Sequence, residues 1–93
     1  MIMAAPLIVE IVELSESVWN GEARQVIVRT TDGDLGILSG HVATAGVLVP
    51  GRVVIDPVDG QRIEGQIDGG FVSVDGNRVT IVADHYEAPG AHA

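Results

Sequence analysis

The side chains of this chain that are best suited to chemistry are carboxylates and histidines. Asp32 and Asp34 flank Gly33, and an Asp-Gly-Asp sequence can open a calcium-binding loop. Such a loop needs further oxygen ligands at alternate positions and a closing Glu, and none follow here. We therefore interpret the segment as a solvated turn or a contact with a partner.

Other reactive residue types do not form a recognisable site either. His41, His85 and His92 contain no closely spaced pair, and the chain has no Cys to complete a zinc site. No serine lies in a Gly-x-Ser-x-Gly elbow. Gly69-Gly70 could suggest a phosphate loop, but no helix follows to direct backbone amides at an anion, so we predict a strand start where two backbones pass closely. We expect no catalytic residue, no cofactor and no metal.

Composition excludes two classes of partner. The chain has 93 residues, enough for one domain, and 13 acidic residues against five Arg and no Lys give a formal net charge of −8. Nucleic acids and anionic lipids both attract cationic surfaces. The apolar N-terminal stretch ends at Glu10, too short to span a bilayer, and it lacks the basic flank of a signal peptide. We expect no binding of nucleic acid and no direct membrane insertion.

The elements that must position these residues are predicted to be strands nearly throughout. Val and Ile supply 24 of the 93 residues, and such β-branched side chains favour pleated sheets. The turn signals are Asn20-Gly21, Asp32-Gly33, Asp59-Gly60 and Asp75-Gly76-Asn77. The predicted strands are Leu7–Val12, Arg24–Thr30, Gly51–Asp56, Gln61–Ile67, Phe71–Val74 and Val79–Ala83. Short strands at this spacing are typical of a sandwich or a barrel.

Alternation within these strands predicts the core. Val26 and Val28 should face inward, as should Ile63, Gly65 and Ile67. Trp19 and Phe71 are interpreted as core aromatic residues, with Trp19 the more exposed. The folded domain is expected to span residues 1–86 and a flexible tail residues 87–93, because Pro89-Gly90 and small residues dominate that end.

Four segments in sequence order resemble the epsilon subunit of F-type ATP synthases. Asp32–His41 is similar to that family's Asp/Glu-Gly-Glu-Leu-Gly-Ile-x-Pro-Gly-His segment, and Val18–Ala23 to its hydrophobic-aromatic-Ser/Asn-Gly-Glu-Ala turn. Asp68–Val74 resembles its Gly-Gly-Phe/Ile strand, and Asn77–Asp84 resembles its last strand. The resemblance covers roughly residues 7–86, and the use of Arg without Lys is similar to actinobacterial members.

The chain also departs from the family pattern. Ser39 and Ala43 stand where the family usually has proline, so this loop should be less restricted in φ. Thr44-Ala45 replaces a Leu-Leu pair. Family members commonly continue into a regulatory helical hairpin, and no such segment follows Asp84 here. We therefore expect neither ATP binding nor inhibition by an extended hairpin.

The resemblance implies a fold and a function. The fold would be all-β, a two-sheet β-sandwich of about ten short strands. The function would be that of a non-catalytic rotor subunit in the central stalk, which binds the gamma subunit and the c ring and couples ring rotation to ATP synthesis. Such a subunit lies at the cytoplasmic face of the cell membrane, attached through the complex.

The same resemblance implies which residues contact partners. The acidic residue at the Asp34 position and the His at the His41 position contact the ring's polar loops in that family. The excess of apolar residues in the opening strand and in Val42–Leu48 suggests a contact with gamma. The predicted interface comprises Asp34, Gly36, Ile37, Ser39, His41, Val42 and Val47.

Two alternatives come from other classes of protein. One is a stand-alone β-sandwich module that binds a small molecule in a pocket lined by Trp19, His41 and Tyr86. The other is an enzyme of unrecognised type. A pull-down separates them from the rotor subunit, because only the rotor function requires a stalk-sized protein partner.

Overall fold

The structure, a computed structural model, describes residues 5–13 and 16–88, and this part of the chain consists of strands, turns and loops. The all-β prediction is confirmed, with nine strands in the described residues in place of about ten. No helix in these ranges is long and apolar enough to cross a membrane. The strands are β1 Leu7–Glu13, β2 Glu16–Thr30, β3 Gly33–Leu38, β4 Thr44–Leu48, β5 Gly51–Pro57, β6 Ile63–Ile67, β7 Gly70–Asp75, β8 Arg78–Ala83 and β9 Tyr86–Glu87.

The predicted domain limit at residue 86 falls inside a strand. Glu87 is the second residue of β9, which pairs antiparallel with β6. Ala88 follows as an exposed residue outside any strand, and the predicted tail from Pro89 onward, including His92, lies outside the described residues.

The strand β2 runs through both layers of the sandwich. Its first half pairs antiparallel with β1, from Glu16 opposite Glu13 to Ala23 opposite Leu7. Its second half pairs with β3, and from Ala23 onward its other edge pairs with β5. One layer is therefore β4-β7-β8-β1 with the start of β2, and the other is β3-β2-β5-β6-β9. The single pair Thr30–Leu48 joins β2 to β4 where the layers meet.

The core fills the space between the two layers. Alternate residues of β1 and β8 face inward from one layer, and Val26 and Val28 of β2 face them from the other. The inward orientation predicted for Val26, Val28, Gly65 and Ile67 is confirmed. Burying one such aliphatic side chain contributes about 1.5–3 kcal/mol, so the core is the main source of stability. The fully buried large side chains are Leu7, Val9, Ile11, Val26, Val28, Ile37, Val53, Ile55, Val72, Val74, Val79 and Ile81.

The turn predicted at Asn20-Gly21 is wrong. Both residues lie inside β2, opposite Glu10 and Val9 of β1. Glycine allows close approach here, because the Trp19 ring lies over the backbone and a Cβ on Gly21 would stand 3.0 Å from its Cη2, so a larger residue would require the ring to shift. Trp19 itself is half-buried and packs against the core, as predicted.

The prediction that Phe71 belongs to the core is also wrong. Val72 and Val74 of β7 face the core, so the period of two directs Phe71 and Ser73 to the outer face. Phe71 remains 51% exposed, so Phe71, and not Trp19 as expected, is the more exposed of the two aromatic residues. An exposed phenylalanine on a sheet face marks that face as a candidate contact surface.

The close approach of backbones predicted at Gly69-Gly70 is confirmed. Gly70 begins β7 with φ of 132°, and a Cβ there would overlap the carbonyl oxygen of Val82 on β8. Only glycine fits both the backbone conformation and the contact.

Gly70→Ala should therefore destabilise the chain by about 2–3 kcal/mol, since the new methyl group meets backbone that cannot turn aside. The matched control is Gly36→Ala, where a Cβ meets nothing within 4 Å and φ is not positive. The control should shift the free energy of unfolding by no more than about 0.5 kcal/mol. Urea denaturation measures both, and equal effects would contradict the assignment of close packing to Gly70.

The β5–β6 hairpin is bridged by an ion pair on the outer face. The guanidinium of Arg62 donates from Nε and Nη2 to the two carboxylate oxygens of Asp56, at 2.7 and 3.1 Å. These hydrogen bonds lower the pKa of Asp56 below its ordinary value of 3.8, against a smaller opposing effect of desolvation. A lowered pKa in the folded state stabilises the fold above the unfolded pKa, and this contribution is lost as the pH falls through the folded pKa.

Arg62→Ala should raise the pKa of Asp56 toward 3.8, because the hydrogen bonds to Arg62 are the largest cause of the shift. Arg24→Ala is the control, since Arg24 acts on Asp56 only through a weaker Coulomb attraction. NMR titration of the Asp56 carboxyl carbon measures both shifts. A larger change from Arg24→Ala would show that Arg24, and not Arg62, is the main cause of the lowered pKa of Asp56.

Candidate functional site

The interface residues predicted between Asp34 and His41 lie along β3, an edge strand whose ladder in the described residues pairs with β2. Asp34 is the second residue of the strand, and His41 lies three residues beyond its end. A strand rise of about 3.4 Å per residue separates Asp34 from Leu38 by roughly 14 Å. The structure therefore distributes these residues along one edge and does not gather them at one point.

Asp34 already has a cationic neighbour. Its Oδ1 accepts a hydrogen bond of 3.0 Å from Nε of Arg29, opposite it on β2, and both side chains are 63% exposed. The preceding turn is fixed by Thr30, whose hydroxyl accepts from the Asp32 amide and donates to the Gly33 carbonyl. Asp34 is thus held in place on an ordered turn, with its carboxylate open to solvent.

The structure corrects the interface prediction at Ile37. Its side chain has 0% exposure and lies in the core, because the period of two directs it toward the other layer. Its neighbours Gly36 and Leu38 are exposed, and Leu38 is 56% exposed. Sequence reasoning missed Leu38, although placing Ile37 inward would have directed Leu38 outward.

The loop that follows β3 exposes an apolar residue beside the histidine. Val42 is 74% exposed, whereas His41 is half-buried. Nδ1 of His41 lies 2.8 Å from the Val42 carbonyl oxygen, which can only accept, so in this contact Nδ1 carries the proton. Thr44 donates its hydroxyl to the same carbonyl at 2.8 Å. The loop is ordered by polar contacts that leave Val42 free to touch a partner.

Val47 lies elsewhere, on the outer face of the layer formed by β4, β7, β8 and β1. It is 60% exposed and pairs with Phe71 on β7. Phe71 pairs with Val82 on β8, and Val82 pairs with Val12 on β1. These four residues, Val12, Val47, Phe71 and Val82, form a continuous line that we name the outer apolar row. The next row on the same face is polar, with Ser73, Thr80 and Glu10. An apolar strip of this kind on an outer face is suited to burial against another protein.

The pocket proposed for small-molecule binding is not formed by the three residues predicted to line it. Trp19 borders a shallow hollow with Pro57, Val58 and Asp59, and neither His41 nor Tyr86 lines that hollow. The Tyr86 ring packs over Gly65 on β6, and its burial raises the pKa of the Tyr86 hydroxyl.

Several charged side chains in the described ranges form pairs, and none of these ranges contains a metal site. No group of three His, Asp or Glu side chains in residues 5–13 and 16–88 could share an ion. Oε2 of Glu13 accepts one hydrogen bond from the Tyr86 amide and lies 3.3 Å from Nδ1 of His85, which ties β9 to the end of β1. Glu13 therefore has a structural role between two strands.

Comparison with solved structures places the fold. The chain superposes with a TM-score of 0.85 on a chain of the mitochondrial ATP synthase OSCP/F1/c-ring assembly of Euglena gracilis, at 24% identity over 95% of this chain and 56% of that one. A chain of the central stalk/c-ring structure of Tetrahymena thermophila gives 0.73, at 21% identity over 89% of this chain and 66% of that one. At these identities the likeness shows the fold alone.

Sequence comparison shows the family. An ATP synthase epsilon chain from Frankia casuarinae is 47% identical over 79 residues, which span 85% of this chain and 93% of the relative. The epsilon chain of Micrococcus luteus is 47% identical over 85% of this chain and 87% of its own length. That of Streptomyces avermitilis is 43% identical over 88% of this chain, which spans only 66% of that relative. The family model for the β-sandwich domain of the ATP synthase delta/epsilon chain matches residues 6–89, and this chain belongs to that family.

Proposed function

We propose that this chain is a non-catalytic rotor subunit in the central stalk of the F-type proton-translocating ATP synthase, which binds gamma and the c ring. The observation that carries this function is the 47% identity to an ATP synthase epsilon chain across 93% of that relative. The subunit is membrane-associated through the complex. Its place at the cytoplasmic face follows from these partners, and its net charge of −8 disfavours direct contact with anionic lipid.

The task of such a subunit is mechanical. It must hold two partners together while the rotor turns, and this requires a body that does not shear. A sandwich whose layers share one long strand and one aliphatic core meets that requirement, because relative sliding would break the ladder and expose the core.

We assign the ring contact to the edge formed by β3 and the loop after it. The side chains available there are Asp34, Ser39, His41 and Val42, together with the backbone at Gly36. In the resembled family the ring loops carry an Arg, which can pair with Asp34. Arg29 already occupies that carboxylate, but an exposed pair contributes only about 0.2–1 kcal/mol, so a ring cation can share or replace it at little cost.

We assign the gamma contact to the outer apolar row, which includes Val47. A stable interface buries about 800 Å² on each partner, and exposed aromatic residues at its centre commonly dominate the affinity. Phe71 is the central aromatic side chain of this row. β3 and the outer apolar row share no residue, so the two proposed contacts do not compete for the same side chains.

Cysteine introduced by Asp34→Cys or His41→Cys should form a disulfide with a Cys placed in the ring's polar loop, because both sites lie on the proposed ring edge. The matched control is Glu64→Cys. Like Asp34, Glu64 is an exposed carboxylate paired with an arginine, Arg52 at 2.9 Å, but it lies three strands from β3. Three strand spacings are about 14 Å, beyond the Cα–Cα reach of a disulfide of about 7 Å. Equal crosslinking from all three sites would refute the assignment of the ring edge.

Val47→Asp should weaken binding to purified gamma at least tenfold, because it adds a desolvated charge to an apolar contact. The circular dichroism of the chain should not change, since Val47 is 60% exposed and outside the core. Gln66→Asp adds the same charge to the exposed face of the other layer and should leave gamma binding unchanged. If the two variants bind gamma equally well, the gamma interface lies away from the outer apolar row.

A further inference from the structure

The backbone of the loop from Ser39 to Ala43 is not restricted by proline, so contacts with other residues must hold the loop in place. The sequence contains no proline between Gly36 and Val49, and Gly40 adopts φ of 84° within the loop. The contacts inside the loop, such as the His41 amide with the Leu38 carbonyl at 3.1 Å, are local and do not attach it to the rest of the domain. The attachment comes from a distant residue, Asn77.

Asn77 lies in the tight turn between β7 and β8, far from the loop in sequence. Its Oδ1 accepts a hydrogen bond of 3.0 Å from the Gly40 amide. Its Nδ2 donates to the Ser39 hydroxyl at 3.0 Å and to the Ala5 carbonyl at 3.2 Å. Its own backbone carbonyl accepts from the Ile8 amide at 2.7 Å. One side chain thus joins the loop, the turn and the segment that leads into β1.

The partners of the amide fix its orientation. A carbonyl oxygen can only accept and an amide nitrogen can only donate, so Nδ2 must face Ala5 and Oδ1 must face Gly40. Both protons of the amide group and one lone pair of its oxygen are used. No charged or purely accepting side chain of the same size reproduces this set of bonds.

We propose that Asn77 is the positioning residue for the proposed ring contact: by anchoring Ser39 and Gly40, it sets the direction in which His41 and Val42 are presented. This inference rests on the proposed function. The anchored loop is exposed and makes no contribution to the buried core, so its attachment sets the geometry of a surface. Ser39 contributes to the contact by accepting from Asn77 and has no need to touch the ring.

Asn77→Gly is the sharpest test variant. Asp75 and Arg78 are the last strand partners of the β7–β8 ladder, so Gly76 and Asn77 form a two-residue hairpin loop. Such loops favour residues that tolerate positive φ. Glycine keeps the turn while removing the whole amide group. The matched control is Asn20→Ala, which deletes the other asparagine amide of the sequence. That amide donates to the hydroxyl of Ser17, at 3.4 Å within the same strand.

The first measurement uses the purified full chain without partners. Amide hydrogen exchange by NMR should accelerate at Gly40 by roughly fivefold in Asn77→Gly, the change in equilibrium that one hydrogen bond of ordinary net strength produces. Exchange at core amides such as Val72 and Val79 should not change, and Asn20→Ala should affect neither set. Unchanged exchange at Gly40 would overturn the positioning role, whatever the ring does.

The second measurement uses the assembled enzyme. In the His41→Cys background, Asn77→Gly should slow disulfide formation with the ring loop by roughly fivefold, while Val47→Cys crosslinks to gamma at an unchanged rate. General destabilisation would slow both reactions, so only the selective loss supports positioning. Faster exchange at Gly40 with unchanged ring crosslinking would overturn the proposal. Failure of the His41→Cys parent to crosslink would instead overturn the proposed ring contact on which it rests.

Discussion

The constraint on which this structure depends is that one strand belongs to both layers. Along the 15 residues of β2, the pairing partner on one edge changes from β1 to β3, and the other edge begins to pair with β5. The exchange occurs at Ala23, which pairs with both Leu7 and Pro57 and has no exposed surface. A small side chain is suited to this position, because the two layers converge there and leave little volume. The layers are consequently joined by covalent chain and hydrogen bonds as well as by the core, which gives the domain the rigidity that a rotor component needs.

Rigidity on the inside determines which surfaces are left for partners. The inward residues of each strand are buried in the core, so only edges, loops and outer faces can contact partners. These remaining surfaces differ in chemistry. The β3 edge carries a paired carboxylate, a histidine and open backbone, whereas the outer apolar row carries four apolar side chains across β4, β7, β8 and β1. A polar edge is suited to polar ring loops, and an apolar strip to a larger and more permanent contact.

Sequence reasoning predicted the parts of this fold that depend on local pattern. Alternation located the inward faces of β1, of the second half of β2 and of β6, and Asp-Gly signals located three turns correctly. The turn prediction failed at Asn20-Gly21, because an Asn-Gly dipeptide can occur in a tight turn or in a strand over which an aromatic ring lies. Only the position of the Trp19 ring distinguishes the two cases. Sequence reasoning did not delimit β3 and β4, whose glycines and small residues have low strand propensity and which are ordered by pairing with distant strands. At the proposed site, the choice of the segment Asp34–Val42 rests on resemblance, but the burial of Ile37 and the anchoring of the loop by Asn77 depend on contacts distant in sequence.

Geometry, more than charge, should therefore determine how firmly the proposed ring edge binds. The described surface carries ion pairs at Arg29–Asp34, Arg52–Glu64 and Arg62–Asp56, and in each of them the arginine side chain is more than half exposed. An exposed pair contributes about 0.2–1 kcal/mol, so exchanging Arg29 for a cation of the ring changes an equilibrium constant by a factor of about five at most. A stable contact cannot rest on one such ion pair, and the rest of its affinity has to come from shape complementarity and burial of apolar surface. Leu38 and Val42, two strongly exposed aliphatic residues, flank His41 at this edge and supply such surface. Their contribution to binding depends on a loop with a fixed conformation. The hydrogen bonds of Asn77 to Gly40 and Ser39 fix that conformation without adding any charge.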